Sequence, residues 1–540
     1  MAELDPDIRS IQEVRDRLRA AELAYHALKE FSQEQVDQIC IAMAEAAREK
    51  ARHFAELAHQ ETGYGRPDHK EMKNRFATDR VLEFILPLRT VGVIAEDREL
   101  GIAEIAVPVG IVAGITPSTN PTSTVIYKAL ISVKSRNPVV FAPHPRTRKC
   151  IAELCDLLDQ AAVRAGAPRA TVQSIHNVTL EGTKELMGHR LTGIILATGG
   201  TAMVRAAYSS GNPALGVGPG NVPAYIHQSA NVEKAIDDII ASKTFDWGVI
   251  CSSEQSIVVD RKVAPQAREV LLSRGCYFAS REETAKLQEL MFPGGRINPK
   301  IVGQAPWVLA EWAGFSIPEG TPMIVVEEPA VGRDYPLTRE KLSPVICFWE
   351  VEDWREGCRR CIEIVNLGGV GHTLVVHGED PEVIMAFALE KPVFRILVNT
   401  PASQGSIGLT TNLPPAMTLG SGTWGGSATS DNITPLHLIN RKRLAYESVP
   451  WEMVRAKNGY TDKPLPTFRE QGSLRPSPSR SMVGQVPIEE GGGAALAGTA
   501  PAVGQPTVVA GRPAGNDQFA LSEEQIRRMV EDFLRRRRGG

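Results

Sequence analysis

The stretch IAVPVGIVAGI at 105–115, handed on to NPTSTVIYKALISVK at 120–134, decides the fold class. An apolar β-rich run followed by a helical pattern is a strand with its crossover, and the unit recurs. PVVFAP (138–143) leads into RTRKCIAELCDLLDQAA (146–162), GIILATG (193–199) into GTAMVRAAYSS (200–210), and PAYIHQ (223–228) into NVEKAIDDIIASKTF (231–245). Apolar strands joined by amphipathic crossovers predict a parallel sheet covered by helices on both faces, an α/β fold. A second series follows: QSIVVD (255–260), PMIVVEEP (322–329), SPVICFWEV (343–351), HTLVVHG (372–378) and FRILVNT (394–400), with DPEVIMAFALEK (380–391) among its helices. It predicts a second α/β domain.

Around this centre the composition is that of a soluble globular protein. The 540 residues are 43% apolar and 23% charged, which excludes wholesale disorder and a coiled rod. Sixty Lys and Arg stand against 63 Asp and Glu, a net charge of −3 that speaks against nucleic-acid binding as the main work of the surface. Eight scattered Cys read as reduced thiols in a cytosolic setting, without structural disulfides. The acidic, helical start and the lack of an 18-residue apolar run predict neither export nor a membrane span.

Composition shifts after about Glu470. The segment 471–516, rich in Pro, Gly, Ala and Ser, predicts a flexible linker. Helical periodicity returns over 517–540, where Ile526, Met529, Val530, Phe533 and Leu534 share one stripe and Ser522 with Gln525 form a capping box. Such a helix is marginal alone and needs a partner: a groove on another protein, its own enzyme or a sister subunit, or, given the run Arg535 to Arg538, a membrane surface.

Chemistry concentrates in four places. TFDWGVICSSEQSIVVD (244–260) sets Cys251 after a Gly-bearing turn and just before a strand, where local dipoles can favour a nucleophilic thiolate. Most intracellular thiols, however, are packed core atoms. GITPSTNPTSTVIYK (114–128) puts Asn120 between a strand and a Pro-started helix, a place for an oxyanion donor or, equally, for a helix N-cap. ATGGTAMVRAA (197–207) offers backbone N–H groups at a helix start to a phosphate, or is a tight turn. APHPRTRK (142–149) brings Arg146, Arg148 and Lys149 to another strand-to-helix junction, as phosphate ligands or as a solvated first turn. Cys358 and Cys361 in GCRRCIEIV have no second pair at zinc spacing and read as packing; no metal motif is present.

Taken in order, ITPSTNPTSTVIYK, FAPHPR, ATGG, GVGPGNVPAYI, TFDWGVICSSEQS, EKLSPV and TLGSGTWGGSATSDN resemble the aldehyde dehydrogenase superfamily, in its CoA-acylating branch, over residues 15–465. The resemblance implies a Rossmann-type cofactor domain over 1–225, with 88–108 in an oligomerisation hairpin, and a catalytic α/β domain over 226–430. Residues 431–470 would return to the cofactor domain and the oligomerisation element. It implies Cys251 as the nucleophile, Asn120 with the Cys251 N–H as the oxyanion hole, and Glu340 on the nicotinamide ribose. Gly199 and Gly200 would meet the pyrophosphate and Pro143 and His144 the adenosine ribose, with Thr116, Pro117, Thr198, Val217 and Gly218 completing the cofactor site. NAD is the implied cofactor and coenzyme A the co-substrate. NADP stays open, because Ala142 and Pro145 stand where the hydrolytic enzymes carry Lys and Glu.

Departures from the hydrolytic pattern carry as much meaning. Where those enzymes hold a Glu as base for water, this chain reads GVGPGN from Gly216 to Asn221, with no carboxylate, so that a thioester on Cys251 would survive until the CoA thiol arrives. The expected reaction is oxidation of a small aldehyde, propionaldehyde first and acetaldehyde next, to its acyl-CoA by a homodimer or homotetramer. The linker and terminal helix resemble peptides that dock cargo enzymes on microcompartment shell proteins, which places the chain in the cytoplasm, in a bacterial microcompartment lumen. A hydrolytic dehydrogenase and a non-catalytic shell-binding scaffold are the competing readings.

Overall fold

The computed structural model describes residues 5–459. The linker expected at 471–516 and the helix expected at 517–540 lie outside them. A small separate unit, 446–520, contributes the helix Trp451–Asn458 to the described part. Among the described residues no helix is long and apolar enough to cross a membrane, and no group of three His, Cys, Asp or Glu is placed to hold a metal.

After five helices, β1 (Gly92–Asp97) and β2 (Ile102–Pro108) pair as an antiparallel hairpin. A five-stranded parallel sheet follows, made of β3 (Ile111–Ile115), β4 (Val139–Ala142), β5 (Val172–Ser174), β6 (Thr192–Thr198) and β7 (Ala214–Val217), in the order β5-β4-β3-β6-β7. A seven-stranded parallel sheet then gathers β8 (Val222–Ile226), β9 (Glu254–Asp260), β10 (Tyr277–Phe278), β11 (Ile324–Val326), β12 (Val345–Val351), β13 (Gly371–His377) and β14 (Val393–Val398), in the order β10-β11-β12-β9-β8-β13-β14. Finally β15 (Ile439–Ala445) returns to pair antiparallel with β2.

The unbroken apolar runs are explained by burial on both faces. Along β3, Val112 joins one core cluster, while Ile111, Ala113 and Ile115 join the cluster on the opposite side of the sheet. In β9, Val258 packs to one side and Ile257 and Val259 to the other. Because strand side chains alternate, a sheet roofed by helices on both faces demands apolar residues at every position.

Two strand readings are corrected. IAVPVGIVAGI, read as one strand, is two: β2 ends at Pro108, and Gly110 at φ 113° turns the chain out of the antiparallel sheet into β3. Proline removes a ladder donor and glycine accepts a backbone angle closed to other residues, so the break has a local cause. PAYIHQ, read with the first series, supplies β8 and pairs with β9 and β13 in the second sheet. Its periodicity could not show which sheet it would enter. Cys358 and Cys361 are buried on the helix Trp354–Asn366 and pack in the core of the seven-stranded sheet, and all eight thiols are unbridged.

Candidate active site

In the five-stranded sheet the strand order reverses between β3 and β6. Such a switch point opens a crevice at the carboxyl ends of the strands. Register makes the edge level: Ile115 lies abreast of Ala142 and Ala197, and Thr198 abreast of Val217. The loops after β3, β4, β6 and β7 therefore emerge side by side, carrying Thr116 and Pro117, Pro143 and His144, Gly199 and Gly200, and Gly218. Buried Lys128 ties two of these strands, donating to the carbonyls of Ile115 at 2.7 Å and Leu196 at 2.8 Å.

A cavity of about 640 Å³ opens there, and the turn before β9 together with Glu340 completes its lining. The twelve catalytic and cofactor residues that the resemblance implies, Asn120 and Cys251 among them, line it; Arg146, Arg148 and Lys149 do not. Its nucleotide-facing loops offer backbone. The helix Thr201–Tyr208 starts with no side-chain cap, and a Cβ at Gly200 would meet nothing within 4 Å. The basic cluster after β4 is the solvated first turn: Arg146, Arg148 and Lys149 are exposed, Arg146 donates to the Tyr64 hydroxyl at 2.7 Å, and the Glu61 carboxylate caps the start of Arg148–Arg164 through the N–H groups of Lys149 (2.9 Å) and Cys150 (2.7 Å). That helix end is already satisfied by an anion of the chain itself.

Cys251 is set by a strained turn. Asp246 and Trp247 both sit at φ 51° and Gly248 at φ 73°, and a Cβ on Gly248 would come within 2.9 Å of the Ser343 carbonyl. Of the eight thiols it alone is not buried. Its pKa is pushed up to about 12, first by desolvation and then by the Glu340 carboxylate, against the pull of the Arg395 guanidinium. The thiol is thus protonated at rest.

Asn120 stands at the N-cap position of Pro121–Lys134 without making a cap hydrogen bond. Its Oδ1 accepts instead from Lys73 Nζ, and its Nδ2 donates to Thr119 Oγ1 at 3.1 Å, leaving one amide hydrogen to spare. An ammonium can only donate, so this contact fixes which end of the amide is oxygen. Burial brings Lys73 down to about 8 in spite of Asp246 beside it.

Glu340 amends the expectation that no carboxylate approaches Cys251. Its Oε1 accepts from the Gly220 N–H at 3.3 Å, within the GVGPGN stretch, and burial raises its pKa to about 7. The acid absent from that stretch in sequence is supplied from 120 residues further along the chain.

His372 went unsingled in the sequence. It is buried, Nδ1 meets Thr373 Oγ1 at 3.0 Å, and Nε2 has no partner among the described residues. Burial, and then Arg395, lower its pKa to about 3, so the imidazole is neutral. A Cβ on Gly220 would fall 2.1 Å from the Cys251 carbonyl and 3.3 Å from the His372 ring, so glycine alone lets the three meet. Lys73, Asp246, His372 and Arg395 were all missed. Only Asp246 had a signal, its place in TFDWGVICSS.

Comparison with known proteins gives this geometry a lineage. Residues 9–275 match the profile of the aldehyde dehydrogenase family. The bifunctional aldehyde-alcohol dehydrogenase AdhE of Escherichia coli K12 is 41% identical over 435 residues, 80% of this chain and 48% of that one. The chain spans about half the length of such bifunctional relatives. An acetylating aldehyde dehydrogenase from Geobacillus thermoglucosidasius superposes with a TM-score of 0.82 at 48% identity, covering 83% of this chain and 99% of that one. The propionaldehyde dehydrogenase of Rhodopseudomonas palustris with bound propionyl-CoA gives 0.73 at 26% identity, covering 80% and 94%.

Proposed function

We propose, for a chain that belongs to the aldehyde dehydrogenase family, the oxidation of a short-chain aldehyde to its coenzyme A thioester through an acyl group held on Cys251. One observation carries the reading: the single thiol not buried opens into the same cavity as Asn120 and the uncapped glycine ledge at the switch point. The names of the acetylating relative and of the propionyl-CoA complex support the acylating branch.

The residues fit a nicotinamide dinucleotide. Gly199 and Gly200 leave the start of Thr201–Tyr208 open to a pyrophosphate, and Glu340 is the carboxylate that ribose hydroxyls would meet. Bound there, the dinucleotide supplies the hydride acceptor. Cys251 Sγ adds to the aldehyde carbon and gives up its proton, while the spare Asn120 amide hydrogen and the Cys251 N–H take the oxyanion that forms. Departure of hydride leaves a thioester. The CoA thiol then displaces Cys251, so that aldehyde, CoA and NAD⁺ give acyl-CoA, NADH and a proton. His372, beside Gly220 and the Cys251 backbone, keeps its Nε2 without a partner among the described residues.

Glu340 favours a second reading. A carboxylate with a pKa of about 7, whose charge reaches Cys251, could serve as base for water and release the free acid. The measurement that separates the two is NADH formation from propionaldehyde with and without CoA. Strict dependence on CoA is expected, and a CoA-independent rate of similar size would sink the acylating reading. The same assay across two- to five-carbon aldehydes sets the chain length; propionaldehyde is the first choice, acetaldehyde the next.

The chain is proposed to work as a dimer or tetramer, through the antiparallel sheet of β1, β2 and β15, and to reach a microcompartment lumen through residues 517–540. Five apolar side chains on one helical stripe suffice for a weak docking contact, at roughly 1.5 to 3 kcal/mol each when fully buried. Deleting 517–540 should preserve turnover and abolish co-purification with shell protein.

A further inference from the structure

The turn that presents Cys251 and the turn that presents Asn120 are tied to one helix by a buried ionic knot. Lys70 and Lys73, one turn apart on Pro67–Thr78, each donate to Asp246 Oδ2; all three side chains are at most 2% exposed. Lys70 also donates to the Thr119 carbonyl at 3.2 Å, and Lys73 to Asn120 Oδ1. Asp246 Oδ1 accepts the Arg66 N–H at 2.6 Å, and its own N–H reaches His69 Nδ1 at 2.7 Å. The space is filled: a Cβ on Gly65 would lie 1.9 Å from Asp246 Oδ1.

Two ammonium groups face one carboxylate. Packing alone does not call for that arrangement, because apolar residues of similar volume fill such a site at no electrostatic cost. The excess positive charge has a direction, since Lys73 is the member that touches the amide of Asn120. An amide whose oxygen is held by an ammonium is polarised, and its N–H becomes a stronger donor toward a developing anion.

Building on the reaction above, we propose that Lys73 is the positioning residue of the oxyanion site. It turns the Asn120 amide so that a hydrogen is free for the substrate oxygen and loads that amide with positive charge. Asp246, through the same ammonium, keeps the donor in register with the turn that carries the nucleophile.

The test is a double-mutant cycle on the full chain, read as kcat and aldehyde KM with CoA saturating. Asn120→Ala should lower kcat on the order of 10² to 10³. Lys73→Met should lower kcat at least about tenfold with KM within about threefold, as expected for loss of an interaction made only in the transition state. The double variant should lie within about threefold of Asn120→Ala, because Lys73 acts through the amide. Losses that multiply, or a Lys73→Met enzyme as fast as the parent, overturn the proposal while Asn120 keeps its role. A fully active Asn120→Ala overturns both. Should Lys73→Met not fold, Lys73→Gln, which keeps a donor without the charge, enters the same cycle, and the same outcomes support or overturn the proposal.

Discussion

The cavity has two unlike walls. The one built on the five-stranded sheet is mainly backbone, glycine, proline and threonine beside Asn120, with His144 exposed and no acid of its own. The one built on the seven-stranded sheet is backed by buried titratable groups: Glu340, Glu254, His372 and Arg395, with Lys243 and Lys341 behind them. A wall that binds through main-chain N–H groups works by shape and tolerates small changes. A wall whose groups set one another's charge does not, since in a low-dielectric interior each shift is felt by its neighbours.

Substitutions of like size should therefore act unequally on the two sides. Gly220→Ala tests the sensitive wall hardest. Its Cβ would overlap the Cys251 carbonyl, and displacing a nucleophile by about 1 Å costs on the order of 10²-fold, so kcat should fall by about that factor in a protein that still melts cooperatively. Retained kcat would show that the Cys251 backbone is not held where the glycine contact puts it.

Next comes Glu340→Gln, read as the rate of Cys251 alkylation by iodoacetamide against pH. The ionised carboxylate raises the thiol pKa, and Glu340 itself ionises through about pH 7. The variant should match the parent below pH 6 and react faster above pH 8, about tenfold for each unit by which the thiol pKa falls. Equal rates at every pH would detach Glu340 from the nucleophile.

Gly200→Ala probes the tolerant wall and should do least. The backbone there sits at φ −66° with open space around a Cβ, so the dinucleotide KM should move by less than about threefold and kcat not at all. A tenfold rise in KM would put that wall among the exacting ones.

Much of this was legible in the chain. Apolar runs alternating with amphipathic helices foretold parallel sheets, and the turns at 116–120, 198–200 and 246–251 were found by their position between strand and helix or ahead of a strand. Local physics fixes such features, because strand burial, helix starts and glycine turns depend on neighbours a few residues away. Which role Asn120 plays was not legible, since an amide at that place serves a cap or an oxyanion with equal ease; the choice rests on Lys73, 47 residues earlier. The same holds for Glu340 against Gly220, 120 residues apart, and for β8 choosing the second sheet. Sequence determined the elements and nominated the reactive side chains. Tertiary structure alone decided their charge states and orientations, because desolvation and ion pairing depend on which distant segments meet, and no local pattern records that.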